Sequence, residues 1–257
     1  MTRIASKFAI SMVLLALMLG GCAEKDPDAL TANDDAKHLY QRATKALKGM
    51  QFDSAIQYFQ ILESRYPFSP YALQAQLDLA YSYYLHDKPE EAISEAERFI
   101  RFNPTHANVD YAYYIKALAN FKQDTGPLER WVPRNSADYN QKPLQDAFND
   151  FAVLLKKFPD SKYAEDSRKR MIFLKHKMAE NEIHVAQYYL RREAWVAAVS
   201  RANYVLRYFY DTPYNEEALV IMAKSYRALK LPEPEQNALK TLRLNFPDNA
   251  YLKEQNS

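Results

Sequence analysis

Small residues recur along this chain in pairs twelve positions apart, and each pair is followed about twelve residues later by a break built on an aromatic residue and proline. Ala43 and Ala55 lead to Tyr66-Pro67, and Ala80 and Ala92 lead to Phe102-Asn103-Pro104. Ala186 and Ala198 lead to Tyr210, after which Thr212-Pro213-Tyr214 echoes Ser69-Pro70-Tyr71. A last copy starts at Ala223 and ends at Phe246-Pro247, with Glu235 in place of the second small residue. Between the breaks, apolar residues return at spacings of three and four, and no stretch alternates with the period of a strand. Only 4 of the 257 residues are glycine. A fixed period of this kind means a helix-turn-helix unit that cannot bury its apolar face alone and must stack on its neighbours. The expectation is an all-α fold, a helical repeat solenoid of about five helix pairs.

The pattern resembles the 34-residue tetratricopeptide repeat, whose small residues let paired helices approach closely, with Leu79, Ala80, Tyr83, Ala92 and Pro104 matching best. Two departures carry information. In repeat three the small residues are Ala117 and Ala147, thirty positions apart, so eighteen extra residues lie between them. Gly126-Pro127, Pro133 and Pro143 forbid a continuous helix there, which predicts a loop insertion over 122–143. A loop this long within a compact array is uncommon and often functional; the alternative is a tolerated surface insertion. The second departure is the distance from Pro159 to Ala186, twenty-seven residues where Pro67 to Ala80 takes thirteen. Lys162–Glu182 has no Gly or Pro and keeps Ala164, Met171, Leu174 and Met178 at helical spacing. The first helix of repeat four is therefore expected to be about four turns longer than its counterparts, joining repeats one to three to repeats four and five.

The start of the chain reads as an export signal. Arg3 and Lys7 precede a nearly unbroken apolar run from Phe8 to Leu19, and the run ends in Leu19-Gly20-Gly21-Cys22. The run is too short for a bilayer-spanning helix, which needs roughly 20 residues. Cys22 is the only cysteine, so it has no internal disulfide partner, and the tetrapeptide resembles the bacterial lipoprotein box, which implies acylation of Cys22 after removal of 1–21. Ala23 follows where inner-membrane retention would favour Asp, so the outer membrane is favoured. Residues 22–34 read as a lipidated N-terminus and polar tether, 35–159 as repeats one to three, and 160–257 as repeats four and five. Without 1–21 the chain carries 32 Lys+Arg against 32 Asp+Glu, and a neutral chain lacks the pull that holds basic proteins to nucleic acid or anionic lipid. Membrane attachment is assigned to the acyl chains.

Arg65-Tyr66-Pro67-Phe68-Ser69-Pro70-Tyr71, Arg98-Phe99-Ile100-Arg101-Phe102-Asn103-Pro104-Thr105-His106 and Ala194-Trp195-Val196-Ala197 resemble the BamD family, the tetratricopeptide lipoproteins of the machinery that folds β-barrels into the outer membrane. The likeness covers the whole chain, including the lipoprotein start, the insertion and the long helix. It implies a scaffold on the periplasmic face of the outer membrane that binds the periplasmic domains of the barrel-forming subunit, companion lipoproteins and unfolded outer-membrane proteins.

Residues one helical face round from the packing positions are Tyr40, then Leu77, Tyr81 and Tyr84, then Tyr114, Leu118 and Phe121. An apolar, aromatic lining suits extended barrel strands, which carry aromatic girdles, so these seven are the candidate substrate contacts. The competing reading has some of these tyrosines packing between repeats. The equivalent positions in repeats four and five include Lys224 and Arg227. Residues 156–207 hold 12 Lys+Arg against 6 Asp+Glu, while 22–155 hold 14 against 19. Arg192, Arg201, Arg207, Lys224 and Arg227 are thus the candidate partner contacts, with arginine suited to bidentate pairing with carboxylates. A solvated charged face is the bland alternative, since surface pairs contribute about 0–1 kcal/mol.

Nothing in the residues points to catalysis, a metal or a cofactor. His38, His86, His106, His176 and His184 form no i, i+4 pair, and no Gly-rich phosphate loop, nucleophile elbow or paired-cysteine motif occurs. A tetratricopeptide lipoprotein that organises peptidoglycan enzymes is the alternative function, separated from the first by which proteins co-purify from mild detergent.

Overall fold

The computed structural model describes residues 31–123 and 141–255. Among them there are eleven α-helices and no strand. In chain order they are α1 (Ala36–Lys48), α2 (Phe52–Arg65), α3 (Ala72–Leu85), α4 (Pro89–Phe102), α5 (Val109–Gln123), α6 (Lys142–Lys157), α7 (Ala164–Arg191), α8 (Trp195–Tyr208), α9 (Asn215–Ala228), α10 (Pro232–Asn245) and α11 (Ala250–Gln255). The first ten form the five expected pairs. All nine small residues of the pattern, from Ala43 to Ala223, are fully buried.

The turn within each pair has one geometry. Seven residues after the first small residue of repeats one, two, four and five stand Met50, Asp87, Glu193 and Lys230, with φ of 56°, 56°, 59° and 58°. Each ends its helix in the left-handed conformation that glycine usually supplies. The following N–H reaches back to the third-last helical carbonyl: Gln51 to Ala46 at 2.9 Å, Lys88 to Tyr83, Ala194 to Tyr189 and Leu231 to Tyr226 at 3.0 Å. Carbonyls that would otherwise lack a partner are thereby satisfied. In repeat three the same register falls at Asp124, outside the described residues, as do 124–140 of the expected insertion. Its two ends are helical: Lys122 lies in α5, and Pro143 sits in the first turn of α6, where its missing N–H costs nothing.

The turn between pairs is equally regular. Tyr66, Asn103, Phe158, Phe209 and Phe246 each donate an N–H to the carbonyl four residues back at 2.7–2.8 Å. Each then accepts at its own carbonyl from the N–H three residues on, at 3.0–3.1 Å. Proline follows in four of the five, at positions 67, 104, 159 and 247, and its fixed φ and absent N–H stop the helix.

The described residues belong to two compact units that divide after Ala75, within α3. In the first unit α1 buries Leu39, Ala43 and Ala46 against Ala55, Ile56, Phe59 and Leu62 of α2. Asp35 caps α1 by accepting from the His38 N–H at 2.8 Å. The end of the expected tether is held here: Arg65 donates to the Thr31 carbonyl at 2.8 Å, Tyr66 to the Asp34 carbonyl at 3.0 Å, and Arg42 pairs with Asp34 at 2.6 Å. Cys22 lies outside the described residues.

In the second unit α7 is 28 residues long, as the spacing predicts, or about 42 Å at 1.5 Å per residue. It packs on α6, α8 and α9. One core runs from Ala117, Leu144, Ala147 and Phe151 through Leu174, Met178, Ile183 and Ala186 of α7 to Ala198, Ala202 and Ile221. Residues on both sides of the turn at Pro159 contribute to this one core, and the compact units divide after Ala75. In repeat five Glu235, which replaces the second small residue, accepts from the Arg227 Nε at 2.7 Å. Tyr251 and Leu252 of α11 close that end by packing on Leu219, Ala223, Leu239 and Leu242. No helix among the described residues is long and apolar enough to cross a membrane. Although α7 has the length, it is charged along its course.

Candidate protein-binding surfaces

The candidate substrate residues fall into three groups. Leu77 and Leu118 are core residues, Leu77 packing on Phe99, Val109 and Ala112 and Leu118 lying in the core that surrounds α7. The position that carries an accessible tyrosine in one repeat therefore carries a packing leucine in another, and neither leucine offers a side chain to a ligand in this structure. Tyr40 belongs to the first unit, where its half-buried ring stacks on Tyr71 at 5.3 Å and tilts against Phe59 at 6.1 Å.

Tyr81, Tyr84, Tyr114 and Phe121 come together in the second unit, and the structure extends them into a seam. Tyr84 stacks on Tyr81 at 6.1 Å between ring centroids, Tyr81 lies 6.2 Å from Tyr111, Tyr111 stacks on Tyr163 at 5.3 Å, and Tyr163 stacks on Tyr114 at 4.5 Å. All five rings are half-buried. The Tyr114 hydroxyl donates to Asp166 Oδ2 at 2.6 Å, and Arg170 Nε donates to the same oxygen at 2.5 Å. The Arg170 guanidinium in turn covers Phe121 at 5.3 Å, and Phe121 meets the exposed ring of Phe173 at 5.8 Å. At the other end Lys122 lies over Tyr84 at 5.0 Å, donates to its carbonyl at 2.9 Å and pairs with Asp87 at 2.6 Å.

Burial governs the ionisation of the Tyr114 and Tyr111 phenols. It pushes the Tyr114 hydroxyl up to about 12, with the Asp166 carboxylate adding to the shift. Burial, then the neighbouring Tyr81 and Tyr163, raises Tyr111 further. Burial works against the charge on Asp166, but the hydrogen bonds from Tyr114 and Arg170 prevail and hold it below the usual carboxylate range. The Tyr114 and Tyr111 hydroxyls are therefore neutral donors and acceptors at physiological pH, beside ring faces that are partly open. Same-face side chains of an extended strand are about 6.8 Å apart. Neighbouring rings of the seam are 4.5–6.2 Å apart, closer than that spacing.

The five basic candidates, also in the second unit, do not form one cluster. Arg192 ends α7, its N–H on the carbonyls of Tyr188 and Tyr189 and its guanidinium 5.3 Å over the Tyr188 ring. Arg207 lies 5.9 Å over Tyr208, whose ring is 4.5 Å from that of Tyr204, and both tyrosines are exposed. Arg201 donates to the buried Glu182 at 3.2 Å. Lys224 and Arg227 share the ring of Tyr251, at 5.1 and 5.9 Å. Each of these five cations rests on an aromatic face or a carboxylate.

Tyr111, Tyr163, Asp166, Arg170 and Phe173 are the seam residues that pattern reading missed. A signal for Tyr163 exists: five residues after the inter-pair turn, tyrosine recurs as Tyr71, Tyr163, Tyr214 and Tyr251. Asp166 and Arg170 look like an ordinary i, i+4 pair until the fold brings Tyr114 to them.

Comparison with known proteins agrees with this architecture. The YfiO family, described as outer membrane lipoprotein, matches residues 32–242. The outer membrane protein assembly factor BamD of Neisseria gonorrhoeae is 35% identical over 252 residues, covering 98% of this chain and 94% of that protein. BamD of Neisseria meningitidis serogroup B is 37% identical over 246 residues, covering 94% and 92%. BamD of Vibrio cholerae is 36% identical over 233 residues, covering 90% and 96%. With the repeat register, the long α7 and full-length matches at this identity, the chain belongs to the YfiO family of outer membrane lipoproteins, the family of the assembly factors BamD.

Proposed function

We propose that this protein is a non-catalytic, lipid-anchored scaffold for assembling β-barrels in the outer membrane, held at the periplasmic face through Cys22. Its aromatic seam receives unfolded barrel segments, and its basic surface on α7, α8 and α9 docks the periplasmic domains of the barrel-forming subunit, with companion lipoproteins as further partners. The observation that carries this reading is the unbroken run of half-buried rings from Tyr84 through Tyr81, Tyr111 and Tyr163 to Tyr114. An open aromatic seam contributes apolar and stacking contacts, about 0.5–1.5 kcal/mol per ring pair, that tolerate varied sequence. A folded partner needs fixed geometry, which planar guanidinium groups supply better than lysine.

The test is a pair of titrations on each of two variants, with a C-terminal peptide of an outer-membrane protein and with the subunit's periplasmic domains. Tyr81→Ala combined with Tyr84→Ala lowers peptide affinity and leaves subunit binding intact. Arg201→Ala does the reverse. Equal loss of both ligands in both variants, with the helical signal unchanged, rules out separate sites.

A further inference from the structure

The buried Glu182 is a residue that neither packing nor the aromatic seam uses. It stands on α7 four residues before the small residue Ala186, and the same register in repeats one and five holds Leu39 and Leu219, both buried. Glu182 is buried to the same degree, with 5% of its surface exposed. Repeats two and three hold Gln76 and Tyr113 there, and Gln76 too is buried; a carboxylate at this position forgoes the apolar burial that leucine provides and must be desolvated. Its two oxygens are each spoken for. Oε2 accepts from Arg201 Nη1 at 3.2 Å, and Oε1 accepts from Gln141 Nε2 at 3.2 Å. Three elements therefore meet on one carboxylate: the start of α6, the middle of α7 and the second turn of α8.

The consequence for Arg201 is orientation. Its side chain remains 46% exposed, while the side chain of Glu182 is only 6% exposed. With Nη1 held from inside, the guanidinium is tethered at one end, and its Nε–Nη2 edge takes no partner among the described residues. That edge is one of the two that pair side by side with a carboxylate.

We propose that Glu182 is a positioning residue that holds Arg201 ready for a bidentate pair with a carboxylate on the barrel-forming subunit; this rests on the docking reading above. An arginine ordered in advance loses less rotamer freedom on binding, so the gain is in affinity and in geometric selectivity for a carboxylate.

The experiment titrates the full chain with the subunit's periplasmic domains by calorimetry and follows melting in parallel. Glu182→Leu, which restores the residue found in repeats one and five, keeps or raises the melting temperature and weakens subunit binding about tenfold, as for a lost positioned charge contact. Glu182→Gln weakens it in the same direction. Binding of the substrate peptide is unchanged in both. Arg201→Lys also weakens subunit binding, and adding Glu182→Leu to it brings little further loss, because lysine has no fork to orient. If Arg201→Lys weakens binding while both Glu182 variants bind like the wild type, the positioning role is wrong and the docking reading stands. If Arg201→Lys binds like the wild type, the docking reading fails and this proposal with it.

Discussion

Replacing Lys230 by glycine should stabilise the protein, although it deletes a side chain and introduces the most flexible residue. Lys230 ends α9 at φ 58°, and a Cβ in that conformation crowds the following carbonyl at a cost of roughly 1–2 kcal/mol. Glycine removes that crowding but carries extra backbone entropy in the unfolded chain, which returns about 0.5–1 kcal/mol. Losing a cation near the last helical carbonyls costs a further ~0.3 kcal/mol at an exposed site. At the middle of these ranges the net is a gain of about 0.5 kcal/mol. For a unit spanning residues 76–257, each kcal/mol moves the melting temperature by about 2–4 °C. Lys230→Gly should therefore melt about 1–2 °C higher by circular dichroism at 222 nm. Lys230→Ala, which loses the same amine but keeps a Cβ, should not melt higher than the wild type. Asp87→Gly should gain less, because Asp tolerates the left-handed region better than lysine does. The reasoning is refuted if Lys230→Gly melts lower, or if Lys230→Ala gains as much as Lys230→Gly.

Three further expectations follow from the same geometry. Ala80 is fully buried with Ala96 and Ile115 beneath Tyr81, Tyr84 and Tyr111, so Ala80→Leu should overpack this contact by roughly 1–3 kcal/mol; an unchanged melting temperature would mean the site has room to spare. The Tyr114 hydroxyl ionises at about 12 in the folded protein against 10.0 ordinarily, so its contribution is intact below pH 10 and is lost as pH rises through about 12; Tyr114→Phe should make the alkaline limb of the stability curve shallower, and identical limbs would contradict the assignment. Cys22→Ala should leave a folded protein that no longer fractionates with the outer membrane in cells lacking its partners; quantitative retention there would rule out the lipid anchor.

Most of the helical architecture was readable from spacing because it is local. Small residues at Ala80 and Ala92, breaks at Pro67 and Pro104 and the uninterrupted 162–182 stretch act through backbone sterics and helical period, and these need no tertiary partner to be recognised. The long α7 and the five pairs follow from them. Whether a given face position is surface or core does not follow. Tyr81 and Leu77 share one face of α3, yet Tyr81 is half-buried in the seam and Leu77 is sealed by Phe99 and Val109. Only the neighbouring helix decides between them.

The sequence by itself determined the helix pairs, the register of their turns and the excess of cations after residue 155, since each depends on residues near one another in the chain. Tertiary structure alone decided the candidate surfaces. Tyr114 and Asp166 are 52 positions apart, Glu182 and Gln141 are 41 apart, and Glu182 and Arg201 sit on different helices. No period links such residues; they meet because the fold stacks one repeat on the next, which turns isolated tyrosines into a seam and a buried glutamate into the support for an exposed arginine.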